Sequence, residues 1–418
     1  MRFEQLYLLN YKAIEEMNIQ FGAGVNLLIG DNGVGKTTIL EAMTVALGDY
    51  LNGLSKIAKT GVKSTDVRID THVLSDASQG VVYSTPVIIK ARFQYGKNKL
   101  TGEVTRKDET SSSKTRFLGK EVAQYANTLV NDIHAELPLF CYFSTSRLAP
   151  PKREDFGTAS NNKLNDRRCG YIGCFESNLD IKTIQAWCLK MEMAAFQQKK
   201  CIREYEALKK IVSDFMLHMN ELEEKPEVYY SRAFETIVYS ENGNTLPVHY
   251  LSAGYQSLLW IIMNMAFRLA LLNPGKEDLG AIGGVVLIDE IDMHLHPKWQ
   301  WKVIGALRDT FPKIQFIMAT HSPIIISSSR NVNLIQIDEK QKVHYLPEAY
   351  AYSVEDVLEL RQESVGTPKE LKKVCQMFET ALNEENYEMA KKVIEQMAEA
   401  FGDDNTKVKN AKAELEVE

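Results

Sequence analysis

Residues 30–37 are the part of this chain whose chemistry is most specific. They read Gly-Asp-Asn-Gly-Val-Gly-Lys-Thr and match the pattern G-x-x-x-x-G-K-[ST], which binds the phosphates of nucleotides. The glycines let such a loop curl until its backbone N–H groups face phosphate oxygens, and the following helix adds the positive end of its dipole. This segment, called the phosphate loop below, therefore predicts that the chain binds a nucleoside triphosphate together with Mg²⁺.

The side chains of the phosphate loop have separate expected roles. Lys36 would reach the β- and γ-phosphates, and the hydroxyl of Thr37 would hold Mg²⁺. The other nucleotide-binding positions that we predict are Asn32, Gly33, Gly35 and Thr38. A chance glycine-rich turn is the alternative, but the apolar run 25–29 and the helix-like residues 38–43 supply the strand–loop–helix context that the pattern requires.

A second pair of candidate residues closes the apolar run 285–288. Val-Val-Leu-Ile is followed by Asp289 and Glu290, as expected for a buried parallel strand whose carboxyl end meets a nucleotide. Asp289 would complete the Mg²⁺ site, and Glu290 would be the general base that polarises the attacking water. An ordinary core strand followed by capping acids is the alternative.

Two further motifs adjoin apolar segments. The run 314–319 is typical of a strand, and the Thr-His-Ser-Pro after it puts His321 where it could sense the γ-phosphate and orient the water. Residues 251–256, Leu-Ser-Ala-Gly-Tyr-Gln, precede a long apolar helix. Ser252 and Gly254 at its N-terminus would form an anion site for a γ-phosphate that a second subunit holds. A serine N-cap explains that segment about as well.

A metal centre is another interpretation of the region after the second strand. Asp289, Glu290 and Asp292 are followed by His294 and His296, and histidines with carboxylates suit zinc or manganese. A metal-dependent hydrolase is therefore kept as an alternative function.

The elements that must position these residues follow from hydrophobic periodicity. The predicted strands are a pair at 6–9 and 19–21, a hairpin at 87–93 and 100–104, and single strands at 137–144 and 228–239. Residues 49–85 are predicted to be irregular and 179–219 helical. The run 258–272 is predicted to be a buried helix, too short to span a bilayer. After Pro368, two apolar stripes separated by a polar break predict an antiparallel helical pair.

The composition is ordinary for a soluble globular protein, with 44% hydrophobic and 25% charged residues. The six cysteines include no C-x-x-C pair, which favours buried free thiols in a reducing cytoplasm. The net charge of −6 resides in residues 340–418, which carry 11 basic and 17 acidic side chains. A basic zone leaves contact with DNA phosphates open. Its members are Lys97, Lys99, Arg106, Lys107, Lys114 and Arg116.

Taken together, these motifs resemble the SMC- and RecF-like branch of the ABC ATPases. Within that branch, the motif sequences are most similar to those of the ATPase subunit of Septu-type systems of bacterial anti-phage defence. These motifs are residues 30–37, 251–257, 288–297 and 319–323. The resemblance is specific over residues 1–48 and 250–330. For the glutamine that contacts Mg²⁺ in ABC ATPases, Gln94 and the strand end near Arg147 are both candidates.

The resemblance implies an α/β fold. It would be an ABC-type ATPase head, that is a P-loop NTPase with a mixed sheet flanked by helices, carrying a short helical lid insertion and a C-terminal helical hairpin. The expected domains are an N-terminal lobe at 1–178, the lid at 179–225, a C-terminal lobe at 226–347 and a helical tail at 348–418. The implied cofactors are ATP and Mg²⁺, the location is cytoplasmic, and no membrane contact is expected.

The resemblance also implies partners. A homodimer or higher homo-oligomer would sandwich ATP between the phosphate loop of one copy and Ser252 of the other, and a separate HNH nuclease would be regulated. No HNH pattern follows His321, so we expect an ATPase without a nuclease centre of its own. The leading hypothesis is an ATP-hydrolysing, dimerising switch that controls this effector in phage defence. A RecF-like DNA-repair ATPase that acts directly on DNA is the alternative.

Overall fold

The computed structural model describes residues 1–75, 78–147, 166–176, 181–361, 369–384, 386–403 and 406–417. The chain forms two compact units, Met1–Ala351 and Tyr352–Glu418. Pro150, Pro368 and the predicted boundary between residues 178 and 179 lie outside the described residues.

The first unit combines runs of consecutive strands with helices between them. Its strands are β1 (Arg2–Tyr11), β2 (Ile14–Gln20), β3 (Val25–Ile29), β4 (Arg68–Ser75), β5 (Ser78–Ser84), β6 (Val87–Tyr95), β7 (Asn98–Arg106), β8 (Arg116–Phe117), β9 (Leu139–Phe143), β10 (Glu227–Ser231), β11 (Thr236–Glu241), β12 (Asn244–Pro247), β13 (Gly284–Ile288), β14 (Ile314–Ala319), β15 (Val332–Ile337) and β16 (Val343–Leu346). Its helices are α1 (Lys36–Ala46), α2 (Gly48–Asn52), α3 (Lys120–Asn131), α4 (Ile181–Gln198), α5 (Arg203–Asn220), α6 (Ala253–Leu272), α7 (Pro297–Gln300), α8 (Val303–Thr310) and α9 (Pro323–Ser328).

The central sheet has the strand order β16-β15-β3-β14-β13-β9. Its neighbours pair in parallel except for β16, which is antiparallel to β15. Every residue of β3, β9, β13 and β14 is buried, which is why these strands read as unbroken apolar runs. Because parallel strands share a direction, their carboxyl ends meet at one edge of the sheet.

A second sheet, β2-β1-β6-β7-β8, is antiparallel throughout. Its strand β6 alternates buried with less buried residues, as expected when one face packs on the core. Helix α1 contacts β6 and β7 of this sheet and β14 of the central one, so it lies between the two sheets. The helix that follows the phosphate loop is therefore anchored on both sides.

Most predicted strands are confirmed, and the misses have a physical cause. Residues 49–85 are not irregular, since they contain α2 and the hairpin β4–β5. The single strand predicted at 228–239 is a hairpin, β10–β11, whose turn lacks the glycine that usually marks one. The thiols of Cys141, Cys174 and Cys188 are buried as predicted, whereas Cys201 is exposed.

Helix α6 is longer than the apolar run from which it was predicted. Ser252 caps it, and it extends over 20 residues, which is long enough by length and composition to cross a membrane. The prediction that it is too short was therefore wrong. In its most apolar window, 83% of the residues are buried inside the structure, so α6 is a core helix of this unit.

The second unit is helical where the structure describes it. Its helices are α10 (Val354–Arg361), α11 (Lys369–Asn383), α12 (Tyr387–Phe401) and α13 (Thr406–Val417). The predicted pair corresponds to α11 and α12, but the hairpin is not complete by itself. Its core also takes Val408 and Ala411 from α13. The prediction missed α13 because only a few of its residues are apolar.

Candidate functional site

The phosphate loop joins the end of β3 to the start of α1, as predicted. Gly30, Gly33 and Gly35 have φ angles of 137°, 86° and 108°, which L side chains rarely adopt. Gly30 has a second constraint, because a Cβ there would lie 2.3 Å from the carbonyl oxygen of Ile337. The curl of the loop therefore requires glycine at these positions.

Lys36 points into the curl of the loop. Its Nζ donates hydrogen bonds to the carbonyl oxygens of Gly30 at 2.8 Å and Asp31 at 2.7 Å. Burial lowers the pKa of this ammonium, and nearby carboxylates, Asp289 first among them, oppose the shift. The loop thus holds a partly desolvated cation next to the acids that follow β13.

Thr37 and Asp289 are far apart in the sequence but form a direct hydrogen bond in the structure. The Thr37 hydroxyl donates to Oδ2 of Asp289 at 2.8 Å. Asp289 is buried, and burial raises the pKa of its carboxyl, while the Thr37 hydrogen bond acts in the opposite direction. A hydroxyl and a carboxylate oxygen are the hard donors that Mg²⁺ prefers, and two protein ligands suffice when phosphates and water fill the remaining positions. The donor set fits Mg²⁺.

Glu290 directly follows Asp289 and has a left-handed backbone, with φ 45°. Its carbonyl oxygen accepts hydrogen bonds from the backbone N–H of Met293 at 3.0 Å and from Nη2 of Arg147 at 3.1 Å. A left-handed conformation is unfavourable for a residue with a Cβ and is typical of functional positions. The sequence could not reveal this conformation.

His321 lies just beyond the end of β14. Burial lowers the pKa of its imidazole, the charge of Lys36 lowers it further, and Asp292 and Glu290 oppose both effects. The ring is therefore neutral at neutral pH. The strands β3, β14 and β13 are parallel neighbours, so Lys36, Glu290 and His321, which follow their carboxyl ends, lie at one edge of the central sheet.

Ser252 lies at the N-terminus of α6 and not at the phosphate loop. The Ser252 hydroxyl accepts a hydrogen bond from the Tyr255 N–H at 3.5 Å, so it is the N-cap of α6, as the alternative interpretation predicted. Gly254 packs so closely on the loop after Glu290 that a Cβ would lie 2.7 Å from the carbonyl oxygen of His294. Ser252 and Gly254 line a groove together with Tyr255, His294 and Trp299.

The proposed metal cluster is not formed. Within the described residues, no group of three or more His, Cys, Asp or Glu side chains is arranged to hold a metal ion. His296 instead accepts a hydrogen bond from the Lys298 N–H and caps α7, and Asp292 accepts one from the Thr320 hydroxyl at 2.6 Å. His296 and Asp292 thus have local partners, and among the described residues the metal-dependent hydrolase has no ligand cluster to support it.

The basic zone is only partly available to a ligand. Arg106 is buried and donates to the carbonyl oxygens of Val62, Asp108 and Thr110, so its predicted contact with phosphate was wrong. Lys97, Lys107 and Lys114 are exposed. Lys99 and Arg116, the other members of the basic zone, are exposed as well.

Sequence reasoning missed the main structural role of Arg147. Only 1% of this residue is exposed, and its guanidinium bonds to the main chain of Asp289 and Glu290. Gln94, the other candidate for the Mg²⁺-contacting glutamine, lies near the end of β6, the middle strand of the antiparallel sheet, where it accepts a hydrogen bond from Arg2 and donates one to the Gly96 carbonyl. An arginine within one short polar turn of an all-apolar strand is the signal that could have drawn attention to Arg147.

Fold and site together define an ABC-type ATPase head. The chain belongs to the AAA domain family, which it matches over residues 5–234. A second match, described as AAA domain, putative AbiEii toxin, Type IV TA system, covers residues 195–327. A crystal structure of an SMC head bound to the C-terminal winged-helix domain of ScpA has a TM-score of 0.51 over 83% of this chain and 98% of that one, at 14% identity. This likeness confirms the predicted fold class.

Two curated relatives are similar over most of their length. The Septu protein PtuA of Bacillus thuringiensis is 26% identical over 90% of this chain and 88% of the relative. The Retron Ec83 probable ATPase of Escherichia coli is 26% identical over 100% of this chain and 87% of the relative. The resemblance to Septu-type, SMC- and RecF-like ATPases is thereby confirmed.

Proposed function

We propose that this protein binds ATP with Mg²⁺, hydrolyses it in composite sites made by two copies of the chain, and thereby controls a separate HNH nuclease in anti-phage defence. The observation that carries the nucleotide chemistry is the hydrogen bond between Thr37 and Asp289 beside the ammonium of Lys36. The similarity to Septu and retron proteins supports the defence role.

Binding begins with an exchange of partners in the phosphate loop. The Lys36 ammonium gives up the carbonyl oxygens of Gly30 and Asp31 for the oxygens of the β- and γ-phosphates. Thr37 and Asp289 would hold Mg²⁺, which would neutralise the charge that develops on the phosphates. The backbone N–H groups of the loop and the N-terminus of α1 bind the remaining oxygens.

Hydrolysis then needs a base and an orienting group. Glu290 takes the proton of the attacking water, and neutral His321 contacts the γ-phosphate and fixes the direction of attack. Burial raises the pKa of the Asp289 carboxyl, and Mg²⁺ bound there would favour its ionised form.

The groove beside Ser252 supports a site shared between copies. Gly254 is buried against the carbonyl of His294, whereas Ser252 is exposed and lines the groove, so Ser252 is available to a phosphate loop from another copy. Head-to-tail pairing would repeat the same contact twice and give two ATP sites per dimer.

The test compares two variants of the site. Lys36→Ala removes the cation that binds phosphate, so calorimetry should detect no ATP binding. Glu290→Gln preserves binding but removes the base, so phosphate release should fall by about a hundredfold or more while ATP-dependent dimers accumulate in sedimentation.

Lys340→Ala, an exposed lysine outside the site, is the matched control and should resemble the wild type. Wild-type hydrolysis by the Glu290 variant would disprove its role as the base. For the effector, an HNH protein encoded in the adjacent reading frame should co-purify. Stimulation of hydrolysis by DNA alone would favour the RecF-like alternative.

A further inference from the structure

Arg147 is a buried cation that contacts three separate parts of the first unit. It follows the carboxyl end of β9, next to β13 in the central sheet. Only 1% of the residue is exposed. Burial of a guanidinium costs free energy unless its N–H groups form hydrogen bonds. The partners of Arg147 are therefore what makes its burial possible.

The first set of partners is the main chain that carries the acids. Nη1 donates to the carbonyl oxygens of Ser144 at 3.1 Å and Asp289 at 2.9 Å, and Nη2 donates to that of Glu290 at 3.1 Å. The peptide between Asp289 and Glu290 and the one after it are therefore both fixed by one planar fork. Lysine has no such fork and could not reproduce these bonds together.

These bonds act where the backbone is strained. The φ angle of Glu290 is 45°, a left-handed value that a glutamate adopts only when its surroundings impose it. A hydrogen bond to its carbonyl oxygen is such a constraint. Release of this bond would let the backbone relax and turn the carboxylate away from its present direction.

The second partner lies on the helix that begins at Ser252. Nε of Arg147 donates to the Ser257 hydroxyl at 3.1 Å, and Ser257 is itself buried in the second turn of α6. Gly254 on the same helix packs on the carbonyl of His294, in the loop after Glu290. The start of α6 thus contacts the segment that carries Glu290 at two points, through Arg147 and at the His294 carbonyl, which couples their positions.

We propose that Arg147 is a positioning residue that holds Glu290 in its hydrolytic conformation and makes that conformation depend on the position of α6. This inference rests on the proposed ATPase function and deepens it. When a γ-phosphate from the other copy binds at Ser252, the resulting movement of α6 reaches Glu290 through Ser257 and Arg147. Each site then responds to the occupancy of the other.

The first experiment separates positioning from folding. Arg147→Lys retains the charge but loses the fork, so kcat should fall by about tenfold or more while the Kd for ATP changes by less than about threefold. Arg106→Lys is the matched control, since Arg106 is also buried and donates to the carbonyls of Val62, Asp108 and Thr110, outside α6 and the segment that carries the acids. It should leave kcat near the wild-type value.

The second experiment tests the dependence on α6. Ser257→Ala removes only the link to the helix, so the Hill coefficient of ATP hydrolysis should fall from above 1 in the wild type to about 1. Ser257→Thr, which retains the hydroxyl, should restore it.

Two results would overturn the inference. One is an equal change of kcat in the two arginine variants, or a loss of ATP binding that parallels the loss of kcat, since either would indicate a purely structural arginine. The other is a Hill coefficient that Ser257→Ala leaves unchanged. Wild-type protein that binds no ATP or hydrolyses none would instead refute the proposed function itself, so the two failures are distinguishable.

Discussion

At the scale of single residues, Asp49 is a buried carboxylate outside the nucleotide site. It is 1% exposed; its Oδ1 accepts from the Gly119 N–H at 3.1 Å, while its Oδ2 has no hydrogen-bond partner. A Cβ at Gly102 or Gly119 would lie 2.7 or 2.4 Å from Oδ2, so both glycines make room for it. Burial raises the pKa of Asp49 from 3.8 to about 6.

The raised pKa makes stability depend on pH with a definite sign. The folded state binds the proton more tightly than the unfolded state, so the stabilisation by the neutral carboxyl is complete below about pH 4 and is lost as the pH rises through about 6. Asp49→Asn removes the charge. The free energy of unfolding of the variant should therefore exceed that of the wild type by a margin that grows between pH 4 and 7, to about 3 kcal/mol at most.

Thermal melting followed by circular dichroism checks this prediction. Asp309→Asn, at a half-exposed carboxylate paired with Arg308, is the control and should follow the wild type at every pH. If the Asp49→Asn variant is no more stable than the wild type at pH 8, water or a relaxed backbone already gives Oδ2 a hydrogen bond.

At the scale of elements, α13 decides whether the second unit has a closed core. Val408 is 0% exposed, and it packs with Ala411 against residues of α11 and α12. Two amphipathic helices alone leave part of their apolar stripes in water, and the third helix covers them. The sequence indicated the stripes but not what covers them.

Val408→Asp should therefore open the second unit without affecting the first. A charge in this core costs several kcal/mol, because it cannot be hydrated there. We expect faster proteolysis within residues 352–418 of the full chain, with ATP binding unchanged. Asn410→Asp, on the exposed side of the same helix, should be cleaved at the wild-type rate. If Val408→Asp is cleaved no faster than the wild type, α13 contributes little to the core.

At the scale of the whole molecule, chemistry and charge are divided between the two units. Each candidate residue of the nucleotide site lies within Met1–Ala351. The acidic excess of the chain lies after residue 340, mostly in the second unit. Complementary charge favours recognition of a basic partner, and nucleases commonly are basic. We therefore assign partner docking to the second unit as part of the proposal.

Truncation after Ala351 tests this division. The shortened chain should bind ATP within about twofold of the wild-type affinity, because compact units of this kind usually fold independently. It should also lose the co-purifying partner or the higher oligomers. Aggregation of the shortened chain would instead show that the second unit is needed to stabilise the first. Retained co-purification would place the docking surface elsewhere.

The amino-acid sequence by itself was enough to predict the nucleotide chemistry that we propose. The phosphate loop needs glycines at fixed positions before Lys36, and Asp289 and Glu290 must follow a strand buried on both faces. Such constraints are local, so they are visible as spacing and as apolar runs. The same holds for the helical stripes of α11 and α12.

Only the tertiary structure decided what depends on distant parts of the chain. Arg147 and Ser257 are 110 residues apart, and nothing in either segment indicates that they bond to each other. The left-handed backbone of Glu290 and the covering of the C-terminal stripes by α13 are of the same kind. Each results from contacts that form only when strands and helices far apart in sequence pack together, and local propensity carries no record of such contacts.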